Sequence, residues 1–242
     1  YCSAPDAGAD AVGFDERGWY DLLTSADRME AIIGSIWEVM RQADRQRRIR
    51  LVVDEWGAWH SSAPIVDPSH LFESQSTMRD ALVTALTLDI FHRHAEKVAM
   101  ANVAQLINCI HSLFCSHEDQ FVVTPAYHVF AMYAAHQGAQ SLRTLIAAPR
   151  VSWQAKDGTR AEFWGLNGSA SRRGSDVTLT VTNASLTDPR ETEVVVRGGT
   201  VRDVRLTTLS ARNVHDVNSF ERPAAVTPAS SELLARTARR DR

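Results

Sequence analysis

Residues 51–59 read Leu51-Val-Val-Asp-Glu-Trp-Gly-Ala-Trp59, LVVDEWGAW: an apolar run that ends on two adjacent carboxylates and leaves through a glycine among tryptophans. Short apolar runs of this kind suit strands buried on both faces, as in parallel sheets. Strand alternation predicts that Asp54 and Glu55 face opposite sides, one inward and one toward a helical layer or loop. An acid at the carboxyl end of a parallel strand stands where α/β proteins place their chemistry. The bland alternative is a loop start or a helix cap. Indole rings beside the acid offer flat apolar surfaces suited to the C–H faces of a sugar ring.

Working outward, Thr24-x-x-Asp27 looks like a capping box. It precedes Met29, Ile32, Ile33, Ile36, Trp37 and Met40, one apolar helical face, and the helix is expected to run to Arg47. Downstream, Thr77-x-x-Asp80 opens a second helix reaching about His94. Residues 98–102 read as another short strand and 103–114 as a helix. Thr124-Pro125 pairs an N-cap with proline at the first helical position, and Gly138 is the expected stop. This alternation marks a parallel α/β arrangement. Beyond Ser141 the texture changes to β-branched, alternating runs at 161–166, 176–182, 191–196 and 200–207. Asn167-Gly168, Arg173-Gly174, Asp188-Pro189 and Gly198-Gly199 are the turn signals between them. The fold class is therefore α/β plus all-β. Residues 1–138 would be the end of an α/β domain, a barrel or a doubly wound sheet, and 139–242 an antiparallel β-sandwich. The first part is too short for a whole barrel, which needs roughly 250 residues.

The 242 residues carry a formal charge of −3. That argues neither for a nucleic-acid surface nor for an acidic tail, no nucleic-acid partner is expected, and no apolar run is long enough to span a membrane. Cys2, Cys109 and Cys115 make no disulfide framework, and none of the nine histidines sits in a metal-ligand motif. No metal and no cofactor are expected.

LVVDEWGAW, AMANVAQLINCI (99–110), TPAYHVFAMYAAHQG (124–138) and HDVNSFERPAAVTP (215–228) together resemble the C-terminal half of glycoside hydrolase family 51, the α-L-arabinofuranosidases. The resemblance runs from Tyr1 to about Pro228. It implies a (β/α)8 TIM barrel, of which residues 1–138 are the last strands and helices, and a retaining mechanism in which Glu55 is the nucleophile and Asp54 its structural neighbour. It also implies that Trp59 lines the sugar pocket, that Gln105 bonds the sugar or the nucleophile, and that Tyr1 ends the sixth barrel strand. Retaining enzymes set their two carboxyls about 5–5.5 Å apart, and an ionised Glu55 would be surrounded by hydrogen-bond donors.

Two departures stand out. The family's acid/base glutamate follows an asparagine, and no Asn-Glu pair occurs here. Gly57 replaces a common asparagine, a change expected to loosen the loop. Loss of leaving-group protonation is worth roughly 10²–10⁴-fold, so the chain is expected to be inactive alone. The implied substrate is an arabinofuranosyl oligosaccharide, with a cytoplasmic setting and a possible homo-oligomer. Alternatives are a related β-xylosidase or endoglucanase, and a non-catalytic remnant serving as an assembly module.

Overall fold

The computed structural model describes residues 10–60, 65–67, 69–70 and 72–234. Helix α1 spans Glu16–Ala43 and starts well before Thr24. Its cap is Asp15, whose carboxylate accepts from Gly18 N–H at 2.7 Å. The earlier start buries Trp19, Tyr20, Leu22 and Leu23, a gain that outweighs the local cap signal at Thr24. Strand β1 (Leu51–Trp56), helix α2 (Met78–Arg93) and strand β2 (Val98–Val103) follow. The two strands pair in parallel with α2 as their crossover. Both halves of the expected capping box at Thr77 and Asp80 are present. Ile33 of α1, Ile90 and Phe91 of α2, and Trp56 and Val98 of the strands bury one another, with Leu51, Val53, Ala101 and Val103 packed against them.

The helix expected over 103–114 does not form. After β2 the chain runs through a loop into the hairpin of β3 (Phe114–His117) and β4 (Gln120–Val123). Asn108 and His111 hold left-handed backbone conformations, φ +55° and +52°, which no helix continues through. The Asn108 side chain instead bonds the N–H and the carbonyl of Ser116, each at 2.7 Å. Helix α3 (Pro125–Tyr133) begins on the Thr124 cap and ends through a 3-10 turn, Ala134–His136, before Gly138 at φ +68°.

The rest is antiparallel. Strands β5 (Gln140–Leu142), β8 (Leu166–Arg173) and β9 (Asp176–Asn183) form one sheet. Strands β6 (Val151–Gln154) and β7 (Arg160–Phe163) form a second, and β10 (Asp203–Leu209) and β11 (Pro228–Leu234) a third. Asn167-Gly168 is not a turn but lies inside β8, and 191–196 forms no strand. The antiparallel part shares a core with α1: Trp19, Tyr20, Leu22 and Leu23 pack with Trp153, Phe163 and Val226. Trp19 Nε1–H donates to the Ala184 carbonyl at 3.0 Å, and Trp153 Nε1–H to Asp21 at 3.0 Å. Among the described residues β1 and β2 are the parallel strands, and they close no barrel. Val52 and Met100 pair across this ladder and are 51% and 55% exposed. No helix among the described residues is long and apolar enough to cross a membrane.

Candidate functional site

The carboxyl end of β1 departs from simple alternation. The register is irregular between Val53 and Trp56, so both side chains join the core shared with the helices. An extra residue in a strand does this. Asp54 and Glu55 are consequently both exposed, and neither packs into the core shared with the helices. Among the described residues Glu55 has no hydrogen-bond or ion-pair partner, so the donors expected around it are not found there. The Trp56 indole, 1% exposed, stacks on Phe130 at 5.7 Å and meets Phe91 edge-on at 5.4 Å. Glu55 thus directly precedes a firmly packed anchor.

Gln105 lies at the same end of the ladder. Trp56 pairs with Val103, and Ala104 N–H donates to the Trp56 carbonyl at 3.0 Å. Trp59 is 39% exposed, with Phe72 edge-on at 5.1 Å. The Phe72 carbonyl accepts from Ile110 N–H at 3.0 Å, and the Ile110 carbonyl accepts from Gln105 N–H. The loops that leave β1 and β2 are therefore tied to each other. Tyr1 lies outside the described residues.

Gly57 is not loose. It is buried at φ +147°, and a Cβ there would stand 2.9 Å from His111 Cβ. His111 belongs to a buried cluster that the sequence reading had not assembled: Arg79, Asp80, His60 and Thr84 are the other members. Asp80 does more than cap α2. Its Oδ2 accepts from Thr77 N–H at 2.8 Å, while Oδ1 accepts from His60 Nε2 at 2.6 Å. Burial alone would raise the Asp80 pKa, but His60, His111 and Arg79 outweigh it and hold the carboxylate ionised well below its usual range. Burial presses His111 down to about 4, leaving it neutral at ordinary pH. These residues are scattered along the chain, and only the capping spacing hinted at one of them.

Burial also pushes the Cys115 thiol up to about 11, which leaves it an inert packing group. Among the described residues no three His, Cys, Asp or Glu side chains are placed to hold a metal.

Comparison with known proteins fits this geometry. A family model described as the α-L-arabinofuranosidase C-terminal domain matches residues 54–240. An intracellular exo-α-L-arabinofuranosidase of Bacteroides ovatus is 29% identical over 219 residues, covering 90% of this chain and 42% of its own length. The intracellular exo-α-(1→5)-L-arabinofuranosidase 1 of Bacillus subtilis is 24% identical over 63% of this chain and 31% of its own length. The crystal structure of the GH51 arabinofuranosidase from Xanthomonas axonopodis pv. citri superposes with a TM-score of 0.82 at 30% identity, covering 93% of this chain and 45% of that one. An arabinose complex of the Thermotoga maritima α-L-arabinofuranosidase shares the fold at 20% identity, with a TM-score of 0.73 over 89% of this chain and 45% of that one. The chain spans less than half the length of these relatives. It belongs to the α-L-arabinofuranosidase C-terminal domain family and corresponds to the C-terminal half of glycoside hydrolase family 51 enzymes.

Proposed function

We propose that this chain is the nucleophile-bearing half of a retaining α-L-arabinofuranosidase that releases terminal arabinofuranosyl groups from arabinose-containing oligosaccharides or polysaccharides. Glu55 attacks the anomeric carbon and carries the sugar as a covalent ester, which water then opens. Trp59 and Gln105, with Tyr1, contact the sugar. The single observation that carries this reading is the irregular strand end, which buries Trp56 and leaves the Glu55 carboxylate exposed at the end of β1, on the ladder that Gln105 also leaves. The paired, half-exposed Val52 and Met100 support the view that residues 1–138 are one sector of a barrel whose other strands cover this face. The antiparallel sheets of 139–242 stand for the companion sandwich. The acid/base comes from outside these residues, so the chain is inactive alone. No nucleic acid, membrane or cofactor takes part, and self-association would join copies of the complete enzyme. Relatives named as intracellular enzymes support a cytoplasmic setting.

The test is kinetic. The longest reading frame that contains this chain is expressed and assayed on p-nitrophenyl α-L-arabinofuranoside. Glu55→Ala is expected to lower turnover by about 10³-fold or more, while Asp54→Asn mainly lowers thermal stability. A Glu55→Ala enzyme within about tenfold of the unaltered protein contradicts the assignment.

A further inference from the structure

Hydrogen-bond chemistry constrains the protons of the buried cluster beneath the carboxyl end of β1. Arg79 can only donate. Its Nη2 lies 3.4 Å from His60 Nδ1, so that nitrogen accepts and His60 carries its proton on Nε2, toward Asp80. The Thr84 hydroxyl gives its one proton to the Asp80 backbone carbonyl at 2.9 Å, so its lone pair receives the Nε2–H of His111 at 2.8 Å. His111 therefore carries a proton on Nε2. Its Nδ1 is buried without a hydrogen-bond partner, 3.9 Å from Asp80 Oδ1. These contacts place a proton on Nε2 and set the orientation of the ring, and burial keeps the ring neutral.

That ring supports the turn. A Cβ on Gly57 would meet His111 Cβ, Cγ and Cδ2 at 2.9, 3.0 and 3.1 Å. Both residues hold positive φ: at Gly57, +147°, glycine's freedom permits it, whereas at His111, +52°, the surroundings must enforce it. Glu55 has no side-chain tether among the described residues. Its position is set by Trp56, anchored in the core, and then by Gly57, seated on His111. The neighbouring Ile110 bonds the Phe72 carbonyl through its N–H and the Gln105 N–H through its carbonyl. One buried wedge thus holds the turn after Glu55 in register with the loops carrying Trp59 and Gln105.

We infer that His111, held in its Nε2–H form by Thr84 and set against Asp80, is a positioning residue that seats Gly57 and so fixes Glu55 relative to Gln105. This deepens the reading of Glu55 as nucleophile and rests on it, but its first test needs no turnover. The 242-residue chain, labelled with ¹⁵N, is examined by imidazole correlation spectra and amide hydrogen exchange.

His111 is expected as the Nε2–H tautomer, neutral until about pH 4. In His111→Ala the amides of Ala104, Gln105 and Ile110 should exchange about tenfold faster or more, while those within β8 and β9 keep their protection. His111→Gln, whose side-chain N–H can reach Thr84, should restore them. Thr84→Val removes the acceptor with little change of shape and should act as His111→Ala does, so it carries the test if His111→Ala does not fold.

In the arabinofuranoside assay the His111→Ala loss should fall on kcat, about tenfold, with KM little changed. An Nδ1–H tautomer, or unaltered exchange at those three amides in His111→Ala or Thr84→Val, overturns the inference. A Glu55→Ala enzyme that keeps its activity overturns the nucleophile assignment and leaves the exchange result untouched, so the two failures are told apart.

Discussion

Ser169 on β8 donates its hydroxyl proton to Asp89 on α2 across 2.7 Å, so the antiparallel sheets and the α/β part meet on a buried carboxylate. The same oxygen accepts from Thr180 at 2.9 Å and from Tyr133 at 3.1 Å, and Oδ2 has no partner. His92, further along α2, has Nδ1 at 2.9 Å from the Ser169 hydroxyl and its ring against Tyr133 and His136. Burial raises the Asp89 pKa to about 6, against the pull of its hydroxyl donors. Burial and then His136 lower His92 to about 4.

These two groups give opposite pH dependences. From pH 3.8 to about 6 folded Asp89 keeps a proton that the unfolded chain has lost, so its contribution to stability falls as pH rises, by about 3 kcal/mol in all. From about pH 4 to 6.5 unfolded His92 holds a proton that the folded chain refuses, so its contribution rises with pH by a similar amount. The slopes largely cancel. Denaturation of variants at several pH values should separate them. Relative to the unaltered chain, Asp89→Asn should gain stability as pH rises from 4 to 6, and His92→Gln should lose it. Parallel curves would remove Asp89 and His92 as the titrating groups.

Arg79 is wholly buried and donates to the carbonyls of Gly18 at 3.1 Å and Asp10 at 2.6 Å, with its guanidinium 3.9 Å over the Phe14 ring. Arg79→Leu strands both carbonyls and His60 Nδ1, and leaves the Asp80 charge less compensated. The expected cost is about 3 kcal/mol or more in urea denaturation. A loss below about 1 kcal/mol would show that water or a repacked side chain replaces it.

Gly168 is needed for a close approach rather than for a turn. A Cβ there would stand 2.2 Å from the Thr180 carbonyl oxygen, inside the β8–β9 ladder. Gly168→Ala should therefore cost about 2 kcal/mol or more, whereas Gly174→Ala, at the tip of that hairpin with open space around it, pays only for its positive φ, about 1 kcal/mol. Equal melting temperatures for the two variants would contradict this.

Periodicity found α2, α3 and the strands at 51 and 98 because their apolar spacing and caps agree with their burial. It failed over 103–114. There Asn108 and His111 take positive φ, and side-chain bonds to the backbone win over helical spacing. It placed a turn at Asn167-Gly168 because that pair is a turn signal, whereas the glycine serves a backbone contact at long range. At the candidate site the apolar run made the strand end with its two acids legible, and the family resemblance alone pointed to Glu55 as nucleophile and to Trp59 and Gln105 as sugar contacts. The support beneath the site was not legible. His60, Asp80, Thr84 and His111 meet only through tertiary packing, and each alone reads as an ordinary polar residue.

The most direct measurement is to label the nucleophile. Protein from the longest frame containing this chain is treated with an arabinofuranosyl-configured epoxide, which alkylates the attacking carboxylate of retaining enzymes, then digested and sequenced by mass spectrometry. The adduct is expected on the tryptic peptide Leu51–Arg79, with fragment ions placing it on Glu55. A label on Asp54 or on any other carboxylate, with Glu55 unmodified, would contradict the account.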